Sequence, residues 1–327
     1  MDVHALAERV LAGDRRAVAR AISLVEDGAP ELRALSEALF PRTGRAYTVG
    51  LTGAPGVGKS SVAGELVRVA RARGLTVAVL AIDPTSPLSG GALLGDRLRM
   101  QEHATDPGVF IRSMATRGHL GGMALAAPEA IRILDASGKD LVLVETAGVG
   151  QAEVEVAAAT DTTLVVVAPG WGDHVQAAKA GILEVADVFV VNKADREGAR
   201  EAVRDLRHML SLGPPADWTP PVVTTSVASG EGFEELWEAV EEHRRFLERT
   251  GQLAARRARR ALEEVKAMAA ERLRLRAARA LEEDPEVTAA LLERRIDPYR
   301  AAEILEGRAG APAAPVGAPV AAGEADG

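Results

Sequence analysis

Gly53-Ala54-Pro55-Gly56-Val57-Gly58-Lys59-Ser60 follows an apolar run at residues 47–51 and precedes a helical stretch at 61–72. The spacing is that of the G-x-x-x-x-G-K-[ST] phosphate loop, in the strand–loop–helix order the loop requires. Its glycines let peptide N–H groups turn inward around phosphate oxygens, and the helix N-terminus adds a favourable dipole. Gly53, Ala54, Pro55, Gly56, Val57 and Gly58 then form the cradle, and Ser61 completes the segment. Lys59 reaches the β- and γ-phosphates, and the Ser60 hydroxyl holds Mg²⁺.

A second stretch, Asn192-Lys193-Ala194-Asp195, selects the base. An Asp carboxylate accepts hydrogen bonds from the guanine ring N–H and its 2-amino group, whereas adenine offers neither donor in that geometry. Together the two stretches predict GTP and GDP as ligands, with Mg²⁺.

Around them, short apolar runs at 47–51, 76–82, 109–111, 141–145, 163–168, 188–191 and 221–225 alternate with helical stretches. That alternation predicts an α/β fold, a P-loop NTPase whose mainly parallel central sheet is flanked by helices. Ligands of such sheets bind beyond the carboxyl ends of the strands, where both stretches fall. Residues 1–44 read as an N-terminal helical segment, with a break at Gly13-Asp14, and 45–250 as the GTPase domain. Residues 233–249 form an amphipathic helix with Phe233, Leu236, Trp237 and Val240 on one face. Residues 251–307 read as a helical arm, whose narrow stripe of Leu262, Val265, Ala269 and Leu273 suits packing on another helix and hence a homodimer. Asp297-Pro298 starts a last helix, and 308–327, rich in Ala, Pro and Gly, read as a disordered tail.

Composition narrows the function. A net charge of −8 argues against a nucleic-acid partner, and the longest apolar runs fall far short of a membrane span. There is no cysteine, so neither disulfides nor thiolate metal sites are available; with no basic–apolar leader at Met1, a cytoplasmic location is expected. Basic residues are mostly Arg, and Lys occurs only at 59, 139, 179, 193 and 266. Lys59 and Lys193 lie within the two stretches, which draws attention to Lys179.

Three carboxylates are candidates for the metal: Asp83, Asp96 and Glu145. Asp83 closes the second strand, Asp96 lies in a Gly-rich stretch, and Glu145 opens Glu145-Thr146-Ala147-Gly148. The last has the form of a D-x-x-G switch with Glu in place of Asp, and Gly148 would present its N–H to the γ-phosphate. Taken singly, Asp83 could equally be a turn former beside Pro84 and Asp96 a surface group beside Arg97. His103, His119 and His174 show no ligand spacing.

With these residues in hand, the chain resembles the methylmalonyl-CoA mutase-associated GTPases, the MeaB family, also described as arginine/ornithine transport kinases. The resemblance rests on residues 53–61, 83–100, 145–151 and 192–195, with Pro169–Asp173 through Lys179–Ile182 and Thr225–Val227. It implies a GTPase chaperone that binds an adenosylcobalamin-dependent acyl-CoA mutase and gates cofactor loading, protection and reactivation. It also implies Mg²⁺ held by Ser60, Asp83, Asp96 and Glu145, catalytic roles for Lys59, Asp83, Glu145, Gly148 and Lys179, and a homodimer. Gly53–Ser61, Asn192, Lys193, Asp195, Ser226 and Val227 would line the nucleotide. Two alternatives remain: a GTP-dependent kinase of a periplasmic arginine/ornithine transport component, and a nickel-type metallochaperone, which the absence of Cys disfavours. No Gln directly follows Gly148 to orient the attacking water, so slow intrinsic turnover is expected.

Overall fold

Val, Leu and Ile dominate the strand runs, as strands covered on both faces require. The computed structural model describes residues 2–84, 100–103, 105–116, 122–146, 152–170, 184–214 and 216–309. Its strands are β1 (Tyr47–Thr52), β2 (Val77–Pro84), β3 (Val109–Thr116), β4 (Leu141–Thr146), β5 (Thr162–Val167), β6 (Val188–Val191) and β7 (Val222–Thr224). They form one sheet in the order β3-β2-β4-β1-β5-β6-β7, and each adjacent pair runs parallel. The helices are α1 (Val3–Leu11), α2 (Arg15–Glu26), α3 (Leu32–Leu39), α4 (Lys59–Ala72), α5 (Gly122–Ala136), α6 (Ala152–Ala159), α7 (Ala199–Ser211), α8 (Phe233–Arg249), α9 (Gln252–Glu283), α10 (Pro285–Leu292) and α11 (Pro298–Ala309).

Side chains alternate between the two faces with the period of two that a pleated strand imposes. Tyr47, Val49, Leu51, Leu141 and Leu143 pack on Leu66 and Val67 of α4 and on Phe233, Leu236 and Trp237 of α8. Their neighbours Leu80, Val142 and Val144 pack on Val18 and Ile22 of α2, Leu35 of α3 and Ile133 of α5. Val165, Val167, Phe189 and Val191 cover Leu206 of α7. In β1 the second face needs a glycine: a Cβ on Gly50 would lie 2.4 Å from Val156 of α6 and 2.6 Å from the Thr160 hydroxyl.

The order in which strands are added reverses across β1, while every strand keeps the same direction. Strands β2 to β4 build on one side of it and β5 to β7 on the other, which opens a crevice at the carboxyl ends.

Several boundaries differ from the sequence reading. The N-terminal segment contains three helices, with Asp2 and Asp14 capping α1 and α2 through their carboxylates. β3 continues past Ile111 to Thr116, because as an edge strand it tolerates Arg112, whose guanidinium bonds Ser23 and Glu26 of α2. Asp83 is paired with Ala115 inside β2, which runs one residue beyond the strand-closing position expected for it, to Pro84. α4 begins at Lys59, not Ser61.

The chain divides into two compact units at Val265/Lys266, within α9. In the first unit the root of α9 is bound by charge. Arg257 and Arg260 pair with Asp161, which is fully buried, and Arg256 pairs with Asp187. The second unit holds the remainder of α9 with α10 and α11. Asp284 caps α10, a helix the sequence reading passed over, and the Asp297 carboxylate accepts from the Arg300 N–H at 2.9 Å at the start of α11. Among the described residues no helix is long and apolar enough to cross a membrane.

Candidate functional site

The chain leaves β1 and turns through Gly53, Gly56 and Gly58, whose φ values are +138°, +78° and +97°. A side chain is excluded at two of them on space as well as backbone angle. A Cβ on Gly53 would stand 2.1 Å from the Val166 carbonyl oxygen, and one on Gly58 would stand 2.4 Å from Asn192 Nδ2. Ala54 and Pro55 ride the outer bend, Val57 is buried inside it, and Ser61 is half-buried on α4.

Lys59 opens α4 and is buried, with Nζ donating to the carbonyls of Gly53 at 2.8 Å and Ala54 at 3.1 Å. Its ammonium therefore stays within the loop that a phosphate chain would enter. The Ser60 hydroxyl, one residue on, donates to Glu145 Oε1 at 2.6 Å across the α4–β4 gap. Both groups are 4% exposed. A buried carboxylate beside a hydroxyl is a hard-oxygen donor set that suits Mg²⁺, which binds through few protein oxygens and completes its shell with water and phosphate. Among the described residues there is no cluster of three His, Cys, Asp or Glu that could hold a metal by itself.

The second stretch reaches the first directly. Asn192 follows β6, and its N–H donates to the Val167 carbonyl at 2.9 Å. Its side-chain Nδ2 donates to the Val57 carbonyl at 2.9 Å, and Lys193 Nζ donates to the Gly56 carbonyl at 2.7 Å. Lys193 adopts a φ of 59°, a left-handed backbone unusual for a residue with a Cβ. Thr225, fully buried, donates from Oγ1 to Asn192 Oδ1 at 3.2 Å and so fixes which end of the amide faces the loop. The sequence gives Thr225 no role of its own: it belongs to the Thr225–Val227 stretch that carries the resemblance and closes the apolar run at 221–225, but only Ser226 and Val227 are expected to line the nucleotide.

Asp195 Oδ1 accepts from the Ser226 hydroxyl at 2.7 Å. That bond, the residue's own N–H and the charges of Arg196 and Lys193 hold its carboxyl below the usual range. It is thus an ionised acceptor at neutral pH. Val227 is 39% exposed beside it.

Lys59, Ser60, Glu145, Asn192, Lys193, Asp195, Ser226 and the loop glycines are brought to the carboxyl end of the sheet. Asp83 joins them by its backbone position at the end of β2; its carboxylate lies outside what the structure describes, as do Asp96, Gly148 and Lys179.

Comparison with known proteins sets the chain beside GTPases. The family described as methylmalonyl-CoA mutase-associated GTPase MeaB matches over residues 18–282. A protein of Pyrococcus horikoshii named as a GTPase is 49% identical over 304 residues, covering 92% of this chain and 96% of that one. The GTPase ArgK of Escherichia coli is 38% identical over 255 residues, 75% of this chain and 77% of ArgK. Among solved structures, a LAO/AO transport system kinase matches with a TM-score of 0.70 at 27% identity, over 94% of this chain and 97% of that one.

Proposed function

Because this chain belongs to the methylmalonyl-CoA mutase-associated GTPase family, we propose that it binds an adenosylcobalamin-dependent acyl-CoA mutase, methylmalonyl-CoA mutase foremost, and uses GTP hydrolysis to gate cofactor loading, protection and reactivation. The observation that carries the nucleotide half is the docking of Asn192 and Lys193 onto Val57 and Gly56. It joins a guanine-selecting carboxylate, through two residues, to a phosphate cradle. The family's description supports the mutase half.

In this reading Lys59 leaves the Gly53 and Ala54 carbonyls for the β- and γ-phosphate oxygens, and the loop N–H groups donate to the same chain. Phosphoryl transfer needs positioning and charge neutralisation more than covalent chemistry, and these groups supply both where charge accumulates on the leaving diphosphate. Mg²⁺, held by Ser60 and Glu145 with Asp83 and Asp96, adds a further neutralising charge when bound. Gly148 contributes an N–H at the γ-phosphate, and Lys179 belongs to a switch segment that reports the nucleotide state to the mutase. Turnover is slow alone and faster with the mutase. The chain pairs with a second copy through α9, where Leu262, Val265 and Leu273 are 63%, 64% and 55% exposed.

A pull-down from native lysate with a non-hydrolysable GTP analogue, followed by identification of the captured protein, tests the client. Recovery of an acyl-CoA mutase with the GTP analogue and its loss with buffer alone is the expected result. Single-turnover hydrolysis that is fast and indifferent to added mutase would overturn the gating role. Transfer of label from γ-labelled GTP to a protein, in place of phosphate release, would favour a kinase.

A further inference from the structure

At the opposite pole of the sheet, where β1, β2 and β4 begin, lies a crevice of about 550 Å³. β1 is six residues long, so this crevice lies roughly 20 Å from the phosphate loop at ~3.3 Å per residue. Its floor is apolar and aromatic, made by Tyr47, Leu141 and Trp237, all buried. Its wall is cationic, with Arg42, Arg45, Lys139 and Arg244.

The charges on that wall are unequally committed. Asp135 is saturated by peptide donors, the N–H groups of Gly44 at 2.5 Å, Arg45 at 3.2 Å and Ala46 at 2.9 Å. Asp140 accepts from the N–H and hydroxyl of Thr76, each at 2.7 Å. Arg244 lies 4.9 Å over the Tyr47 ring and bonds Glu248 at 3.0 Å. Among the described residues, the side chains of Arg42, Arg45 and Lys139 make no hydrogen bond or contact ion pair, and Glu241 is the one lining carboxylate not bonded to backbone. Burial lowers the pKa of Lys139, and the nearby charges of Arg15 and Arg71 lower it further, against the weaker pull of Asp140 and Asp106. Four cations thus line the crevice against three carboxylates, Asp135, Asp140 and Glu241, and three of the cations, Arg42, Arg45 and Lys139, keep donors to spare above the apolar floor.

We propose that this crevice is a second ligand site, separate from the nucleotide site, for an organic phosphate whose body is aromatic or apolar. The volume suits a small metabolite, and a few placed cations over an apolar floor are the usual composition of such a pocket. The phosphate would meet Arg42, Arg45 and Lys139, and the body would lie against Leu75, Leu141 and Val240 and the edges of Trp237 and Tyr47, whose ring faces Arg73 and Arg244 cover.

Pyridoxal 5′-phosphate is a suitable probe, since its aldehyde condenses with a lysine amine, losing water, and borohydride then fixes the imine as a stable secondary amine. With five lysines in the chain, labelled sites are mapped by mass spectrometry on the full-length protein loaded with GDP and Mg²⁺. Labelling of Lys139 should saturate, run at least tenfold faster with pyridoxal 5′-phosphate than with 5-deoxypyridoxal, which lacks the phosphate and cannot close into a hemiacetal as pyridoxal does, and be competed by inorganic phosphate. The paired substitutions Arg42→Ala and Arg45→Ala, both at exposed positions, should slow it about tenfold. Equal rates with 5-deoxypyridoxal, or no response to the Arg substitutions, would overturn the site and reduce Lys139 to a reactive amine. Shielding of Lys59 and Lys193 by GDP reports separately on the nucleotide reading.

Discussion

Replacing the Asp195 carboxylate by a carboxamide exchanges one acceptor for a donor. The 2-amino group of guanine then faces a donor, while the 2-oxo group of xanthine faces a partner. Asp195→Asn should lose GTP affinity by at least about tenfold, roughly 1.4 kcal/mol, and gain affinity for xanthosine triphosphate, measured by calorimetry with both nucleotides. Unchanged preference would place the base elsewhere. A second residue-scale expectation concerns Asp161. Burial alone would raise its pKa, but the Arg257 hydrogen bond and the charges of Arg260 and Arg257 outweigh burial and hold it below the ordinary value. A depressed folded-state pKa contributes stability that is complete above the unfolded value, about 3.9, and lost as pH falls through the folded one. Urea midpoints should therefore fall steeply below about pH 4 in the wild type. Asp161→Asn, weaker at neutral pH, should show a shallower acid decline; parallel curves would mean the pair carries no linkage.

Among elements, the phosphate loop and the Asn192–Asp195 stretch behave as one piece. Gly58→Ala forces a residue with a Cβ to hold φ +97° and to stand 2.4 Å from Asn192 Nδ2. The left-handed backbone alone costs about 1–2 kcal/mol. Asn192 has little room to retreat, being tied to Val57 and Thr225. Nucleotide affinity should drop by more than tenfold while the melting temperature of the nucleotide-free protein falls by only several degrees; an unchanged affinity with the same fall in melting temperature would show that the tie serves stability alone. The glycine spacing and the Asn-Lys-x-Asp order were legible in the sequence because local backbone geometry demands those residue types. The hydrogen bond from Asn192 to Val57 was not, because it joins residues far apart in the chain, and neither was Thr225, whose hydroxyl matters only once β6 and β7 lie side by side. Helix α10 was legible but passed over: Asp284-Pro285 gives the same start signal as Asp297-Pro298. The end of β3 was hidden because Arg112 breaks the apolar run, and its partner Glu26 lies on another element. The Arg256, Arg257 and Arg260 anchor is not legible in the sequence, since nothing local announces the buried Asp161 and Asp187 that receive it.

For the whole molecule, the exposed apolar stripe on α9 makes the oligomeric state the most direct test. Sedimentation of the wild type should give a dimer, and paired Leu262→Glu and Leu273→Glu substitutions should give a monomer that still binds GTP. A wild type that sediments as a monomer would remove the stripe's role. The strand order has a further bearing on how the molecule is made. β1 pairs with β4 through Tyr47 and Leu141 and with β5 through Val49 and Thr162. During synthesis, then, the segment carrying the phosphate loop waits for about a hundred more residues before either neighbour leaves the ribosome. Parallel pairings of such span are slow to close and expose apolar surface meanwhile. Until the middle of the chain has emerged, a nascent chain has no sheet on which to hold a nucleotide, so GTP can stabilise this protein only late in its own translation.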